Sequence, residues 1–477
     1  MQRVTPDRPW PLHDVAATRR LEQAAAAALP PHTLMQRAGL AVARLALAIA
    51  PHARTIWVAC GPGNNGGDGF EAALHLKQWG KQPVVTWRGE ESRAPEDARA
   101  SLQRARAAGV AFATDAPAHW DLALDGLLGI GSRRAPEGAL LADIRRLDAG
   151  DAPVLAIDLP SGLDADTGAA PQAVHADHTL CLLALKPGLF TRDGRDACGQ
   201  VWFDDLQVAD DGEAATATLA GAPAARPRPH ASHKGSYGDV AVIGGAPGMA
   251  GAALLAARAA LHHGAGRVFV GFLDPDAGGL DAGQPDLMVR PWDDLALGGM
   301  SVACGCGGGD AARLALPRAF GARALVLDAD ALNAIAADPP LQALLQARGR
   351  RGAPTVLTPH PLEAARLLAS DTRGVQADRI AAARLLAERF GAVVVLKGSG
   401  TVIAAPSGAV RINPTGNARL AIAGTGDVLA GWIAARLAAG AEDAFEAASA
   451  AVYLHGLAAD RWPREHTLTA NELARSL

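Results

Sequence analysis

Arg54-Thr-Ile-Trp-Val-Ala-Cys60 runs without a break into Gly61-Pro-Gly-Asn-Asn-Gly-Gly-Asp-Gly-Phe70, and that turn opens onto Glu71-Ala-Ala-Leu-His-Leu-Lys-Gln-Trp-Gly80. The first segment is a short apolar run, the last is amphipathic, and the glycines between them let backbone amides approach a phosphate closely. Strand, glycine-rich turn and helix in that order predict a parallel sheet with helical crossovers. Further apolar runs at Pro83–Trp87, Leu122–Leu128 and Pro153–Asp158, with an amphipathic stretch over Glu96–Gly109, extend the alternation. Each crossover is long enough to bring the chain back to the same sheet.

The N-terminal part therefore reads as a Rossmann-like, doubly wound α/β sheet over residues 1–208. Both periods disappear over residues 209–232, where small residues, Pro and charge mix, and a linker is expected there. The alternation resumes with Asp239-Val-Ala-Val-Ile-Gly-Gly245, continues through Ala324–Asp330, Thr355–Pro359 and Ala392–Gly398, and ends in Ala-rich helices after Gly424. A second α/β domain over residues 233–477 follows. No repeat of fixed period relates the two halves, so a fusion of different folds is expected.

A chain of 477 residues exceeds one ordinary hydrophobic core. With 49% hydrophobic and 20% charged residues it is globular in composition. Its formal net charge of -4 lacks the cationic footprint that nucleic acid or an anionic membrane requires, which leaves small molecules as partners. Met1–Asp14 contains no apolar signal core and no stretch is long enough to span a bilayer, so a cytoplasmic location is expected. The five cysteines, Cys60, Cys181, Cys198, Cys304 and Cys306, are odd in number and scattered, which predicts reduced thiols.

In a doubly wound sheet, ligands bind where the carboxyl ends of the strands converge. Three segments fit that place: Gly61–Phe70, Asp125 with Gly126-Leu-Leu-Gly-Ile-Gly131, and Asp158 with Leu159-Pro-Ser-Gly-Leu-Asp164. A carboxylate beside a phosphate cradle can move a proton; Asp158 is the first candidate and Asp125 the alternative. Asp158 can instead cap the Pro-Ser-Gly turn. Lys186 can pair with phosphate or a carboxylate, or be an ordinary solvated lysine.

Together with Thr33-Leu-Met-Gln-Arg-Ala-Gly39 and Leu185-Lys-Pro-Gly-Leu189, these segments resemble the YjeF N-terminal family, the NAD(P)H-hydrate epimerases, over residues 12–207. The resemblance implies that Asn64, Asn65, Gly66, Gly67 and Asp68 contact a hydrated dinucleotide. It implies the same for Gly129, Ile130, Gly131, Ser132, Arg133, Arg134 and Ala135, and for Asp158, which is also the expected catalytic group. Asn65, Asp125 and Ser161 are implied to supply hard oxygen ligands to a potassium ion. Gln36 and Arg37 stand where that family has a Glu-Asn pair, and Ile130 where it often has Thr.

In the second half, Ala423-Gly-Thr-Gly-Asp-Val-Leu-Ala-Gly431 places glycines at the start of a helix and Asp427 in its first turn. Amides there stabilise charge on a transferring phosphoryl group, and the carboxylate can take a proton from an attacking hydroxyl. The bland alternative is an acidic residue that merely favours the helix dipole. Lys397-Gly-Ser-Gly-Thr401 forms a second glycine-rich turn suited to nucleotide phosphates. Thr358-Pro-His-Pro-Leu-Glu363 and Asp328-Ala-Asp-Ala-Leu-Asn333 end two other strands at the same edge.

With His233-Lys-Gly-Ser-Tyr-Gly238, Gly244–Gly251 and Ala260–Gly266, this array resembles the ribokinase-like YjeF C-terminal family, the NAD(P)H-hydrate dehydratases, over residues 226–475. The resemblance implies hydrate contacts at Ala250, Gly309, His360 and the catalytic Asp427. It implies nucleotide contacts at Lys397, Gly398, Ser399, Gly400, Thr401 and Gly426, with magnesium accompanying ADP. Cys306 and Gly308 interrupt the family's Gly-Pro-Gly-Leu-Gly run, Leu362 replaces a frequent Gly, and Arg419 precedes the anion hole where small residues are usual. The implied activities are an isomerase that exchanges the R and S hydrates NADHX and NADPHX, and a lyase that dehydrates the S form with ADP, giving AMP and phosphate. A homo-oligomer is expected. The alternatives are a small-molecule kinase, which would keep Asp427 but release a phosphorylated product, and an N-terminal half that only senses nucleotides.

Overall fold

The computed structural model describes residues 1–131, 134–209, 212–225, 227–440 and 443–476. It divides into two compact units, Met1–Thr5 with Trp10–Thr218, and Pro6–Pro9 with the chain from Leu219 onward.

The eight-stranded sheet of the first unit runs in the order Gln2–Arg3, Gln200–Asp204, His178–Leu182, Val154–Ile157, Leu122–Gly126, Thr55–Cys60, Gln82–Trp87 and Ala111–Ala113. Neighbours are parallel except at the Gln2–Arg3 edge. From Thr55–Cys60 the chain first builds outward on one side and then returns to build on the other. The order thus reverses between Thr55–Cys60 and Leu122–Gly126, and a crevice opens at the carboxyl ends of those strands. Alternate residues feed two cores: Ile56, Val58 and Cys60 pack with Phe70 and Leu76, while Trp57 and Ala59 face Ile144 and Leu147. Burial on both faces explains why the strand reads as an unbroken apolar run.

The helix after the glycine-rich turn begins at Asn64, well before the amphipathic stretch that starts at Glu71. Gly66, Gly67 and Gly69 consequently lie inside its first turns. A Cβ at Gly66 would strike the Gly61 carbonyl, one at Gly67 would meet Met35 and Ala98, and one at Gly69 would meet the Cys60 thiol. These glycines allow helix and sheet to approach closely. They carry no side chain to mark a helical period, which is why the start was hidden.

In the second unit, Met288–Val289, Arg267–Phe272, Asp239–Gly244, Ser301–Cys304, Ala324–Leu327, Thr355–Leu357 and Val393–Leu396 lie side by side in parallel. Val402–Ala404 and Val410–Ile412 continue this sheet antiparallel. The helix Thr425–Ala439 is apolar on nearly all sides and packs between the sheet and the helices Ala250–His262 and Ala444–Arg461. Gly431 permits this, since a Cβ there would meet the Ala256 carbonyl. Ala217–Leu219, inside the expected linker, is a strand. Nearby, Thr216 Oγ1 accepts the Asp14 amide at 3.1 Å, so part of that segment is tied down rather than irregular. All five cysteines are free and buried. Among the described residues, no helix is long and apolar enough to cross a membrane.

Candidate functional site

In the first unit the crevice is a cavity of about 550 Å³, lined among others by Asn64, Asn65, Asp68, Gly129, Ile130, Gly131, Asp158 and Lys186. Asp158 follows the strand Val154–Ile157 with a φ of 68°, a left-handed conformation that is unusual outside glycine and marks a constrained turn. Its carboxylate accepts from the Leu182 amide at 3.1 Å and from Lys186 Nζ in a short ion pair. Lys186 is 1% exposed and also donates to the Leu182 carbonyl at 3.0 Å. Burial, the largest single influence, opposes its positive charge, but the charge and hydrogen bond of Asp158 together with Cys181 outweigh it, and Lys186 is raised above the ordinary lysine range. Of the options open for Lys186, the carboxylate partner is the one observed.

Gly66 and Gly67, expected as substrate contacts, are buried behind the cavity wall in helix packing. Arg134 and Ala135 are exposed on the loop beyond Gly131, and Ser132 and Arg133 lie outside the described residues. Sequence reasoning missed Glu22 and Asp97, which line the cavity from the helices Val15–Ala28 and Glu96–Ala107. Neither belongs to a motif; only the packing of those helices brings them in. Asp97 pairs with His32.

Below the cavity, Asn65, Asp125 and Ser161 meet around Leu128. Asn65 Nδ2 donates to the Leu128 carbonyl at 2.9 Å, and Ser161 Oγ accepts the Leu128 amide at 2.8 Å. Ser161 donates to Asp125 through its amide at 2.8 Å and its hydroxyl at 2.5 Å. Asp125 is wholly buried; burial pushes its pKa up to about 6, against the Ser161 and Leu127 hydrogen bonds that hold it down. Among the described residues no Lys or Arg forms an ion pair with it. Oxygen donors around one buried carboxylate of this kind suit a hard cation.

In the second unit the start of the helix Thr425–Ala439 carries Gly424 at a φ of 92°, which favours glycine, and Asp427 in the first turn. A Cβ on Gly426 would lie 3.3 Å from Lys397 Nζ and 3.9 Å from Asp328 Oδ2, so this glycine stands against that pair with no side chain in between. Lys397 Nζ binds Asp328 Oδ1 at 2.7 Å, and Thr358 Oγ1 donates to the same oxygen at 2.7 Å. Cys306, Asp328 and Asp427 offer ligand atoms within 4.8 Å of one another. Burial, then the Asp328 charge, push Asp427 up to about 7, where a carboxylate can act as a base near neutrality. Burial, then the charges of Asp427 and Asp328, push the Cys306 thiol well above its ordinary range.

His360 caps the helix Pro361–Leu368: its Nδ1 accepts from the Leu362 and Glu363 amides at 3.1 and 3.4 Å, and the His360 amide donates to Glu363 Oε2 at 2.8 Å. With Nδ1 accepting, the neutral ring carries its proton on Nε2, 3.2 Å from Glu363 Oε1. Burial raises Glu363 to about 7, with Lys397 opposing. Ala250 opens its helix, and the Gly309 amide donates to Asp330 Oδ2 at 2.8 Å. Gly398 and Gly400 adopt positive φ, and Thr401 Oγ1 closes the turn on the Gly398 carbonyl at 3.1 Å. Asp328, Asp330 and Glu363 were visible as strand-end acids in the sequence, but nothing there paired Asp328 with Lys397.

Two family models match this chain: a YjeF-related protein N-terminus over residues 31–188 and an NAD(P)H-hydrate dehydratase over residues 240–477. A bifunctional NAD(P)H-hydrate repair enzyme of Escherichia coli is 38% identical over 480 residues, covering 95% of this chain and 90% of that protein. An ADP-dependent (S)-NAD(P)H-hydrate dehydratase of Neisseria meningitidis is 46% identical over 237 residues, covering 48% of this chain and 78% of that protein. A solved Bacillus subtilis ADP/ATP-dependent NAD(P)H-hydrate dehydratase, co-crystallised with ATP and magnesium, is 32% identical with a TM-score of 0.43, covering 52% of this chain and 91% of that one.

Proposed function

The chain belongs to the bifunctional NAD(P)H-hydrate repair enzymes, and from that premise we infer which residues of each half carry the chemistry. It is an enzyme that epimerises the R and S hydrates of NADH and NADPH and dehydrates the S form at the expense of ADP, giving AMP and phosphate. Hydroxide is a poor leaving group in neutral water, so the hydrate hydroxyl must be activated. In our reading Asp427 accepts the hydroxyl proton as the oxygen attacks the terminal phosphoryl group of ADP. The amides of Gly424 to Gly426 and the Lys397 ammonium then face the developing charge. Expulsion of phosphate from the ring carbon and loss of a neighbouring proton restore the dihydronicotinamide. Asp328, beside the base Asp427, is the hard oxygen donor that would hold a magnesium ion brought by the nucleotide, which would supply positive charge against the phosphates, whereas the Cys306 thiol is not a hard donor. The observation that carries this reading is the junction of anion-hole amides, a base tuned to about 7 and a Lys–Asp pair at one sheet edge.

For the first unit we assign Asp158 as the proton acceptor and the cavity above it as the hydrate site. Asn65, Asp125 and Ser161 would hold potassium, which supplies a fixed positive charge near the dinucleotide. The assignment of residues 1–208 and 233–477 to the two activities and a homo-oligomeric state belong to the same proposal. The test is incubation with each separated epimer, with ADP or ATP and with or without potassium, while following the return of NADH or NADPH absorbance. Rapid use of the S form with ADP, and slower, potassium-dependent use of the R form, is expected. An R form used as fast as S without potassium would overturn the two-site reading.

A further inference from the structure

Asp68 sits in the early turns of the helix Asn64–Gln78, half-buried in the same cavity as Asp158. Asp158 is engaged by Lys186 and the Leu182 amide, whereas among the described residues the Asp68 carboxyl makes neither a hydrogen bond nor an ion pair. The charged groups around it are Arg19 and Glu22 from the helix Val15–Ala28, Asp97 from the helix Glu96–Ala107, Asp158 and Lys186 from the loops after their strands, and Glu71 on its own helix. A partly buried carboxyl without donors, set among other carboxylates, is driven toward its neutral form. Burial, then the Asp158 charge, raise Asp68 well above the ordinary carboxylate range.

We propose that Asp68 is the proton donor that partners Asp158, the proton acceptor, in epimerisation; the proposal rests on the assignment of that reaction to this cavity. Hydration of an enamine puts the hydroxyl on the carbon bonded to nitrogen, so the hydrate is a cyclic carbinolamine. Its configuration inverts only if a bond to that carbon breaks. Asp158 takes the hydroxyl proton, the C–O bond becomes C=O, and the C–N bond opens. The C–N electron pair goes to the ring nitrogen, which takes the proton of Asp68. Rotation about the adjoining C–C bond presents the other face of the aldehyde. Reclosure then returns the nitrogen's proton to Asp68 and the proton held by Asp158 to the new hydroxyl. Nothing is oxidised or reduced and no water is consumed. One carboxylate and one carboxylic acid are needed at once, and the contrasting surroundings of these two residues supply them.

Asp68→Asn preserves size and removes the proton. Measured on separated epimers, kcat for exchange falls about a hundredfold or more, while KM stays within about threefold. The decline of the parent rate at high pH, where the acid is lost, disappears from this variant, and Asp68→Glu recovers part of the rate. Dehydration of the S form by the same preparation, at the parent rate, reports a folded chain. A raised KM with kcat and its high-pH decline intact would make Asp68 a binding group only and overturn the proposal, as would an unchanged kcat. If Asp68→Asn misfolds, Asp68→Glu decides alone: a displaced high-pH limb supports the donor role and an unmoved one rejects it. A parent protein that exchanges no epimers would instead remove the epimerase assignment, and the proposal with it.

Discussion

Each unit sets a lysine against an aspartate at the carboxyl edge of its sheet, Lys186 with Asp158 in the first and Lys397 with Asp328 in the second. The resemblance ends with the use made of the pair. In the first unit the paired aspartate itself faces the cavity and is assigned as the proton acceptor. In the second unit the paired aspartate is 2% exposed and the assigned base is its neighbour Asp427, which among the described residues forms no ion pair with a lysine and is pushed up to about 7. A countercharge therefore does two different jobs: it neutralises the reacting group directly, or it sets the field in which a second carboxylate titrates.

Asp427→Asn should break this symmetry most severely. Loss of general-base assistance costs on the order of a hundred- to ten-thousand-fold, so ADP-dependent dehydration should nearly vanish while epimer exchange on the same preparation persists. Asn still accepts a hydrogen bond at a helix start, so folding should survive. Dehydration within about threefold of the parent rate would reject Asp427 as base.

Removing the countercharges comes next. Lys186→Met would leave Asp158 buried without its partner, a change that costs about 3–5 kcal/mol when a buried pair is broken. Lys397→Met should cost less stability because Lys397 is 20% exposed on its side chain. Its larger effect should fall on the pH profile: without a nearby cation Asp427 binds its proton more tightly, and the rise of dehydration with pH moves to higher pH. Urea unfolding of both variants beside their pH–rate profiles separates the two roles.

In the parent protein the base must be deprotonated, so the dehydration rate should fall about tenfold per unit as pH drops below about 7, the value at which Asp427 titrates. A rate that stays flat from pH 7 to pH 5 would rule out a carboxylate so poised. The smallest effect belongs to His360. Its ring caps the helix Pro361–Leu368, so His360→Ala should cost roughly 1 kcal/mol, whereas His360→Asn keeps the cap. If His360 also touches the hydrate, His360→Asn should raise KM at unchanged stability; parent KM in that variant would leave it a cap alone.

The alternation of apolar strands and amphipathic helices sufficed for two α/β halves, with Gly61–Phe70 legible as a strand-to-helix turn and Ala423–Gly431 as a helix start, because glycines there free backbone amides for an anion. The same stretch misled about where its helix begins, since Gly66, Gly67 and Gly69 answer to contacts with Gly61, Met35 and Cys60 that no local period records. Asp427 could be chosen from its motif, but not its poise near neutrality, which depends on burial and on Asp328, brought beside it by the packing of a different strand. Likewise Lys186 stood open to several partners until the fold placed it on Asp158. Sequence determines which groups are present and the local backbone that carries them. Tertiary structure alone decides which charges become neighbours and how much water is left around them, and on those two quantities the protonation of a site depends.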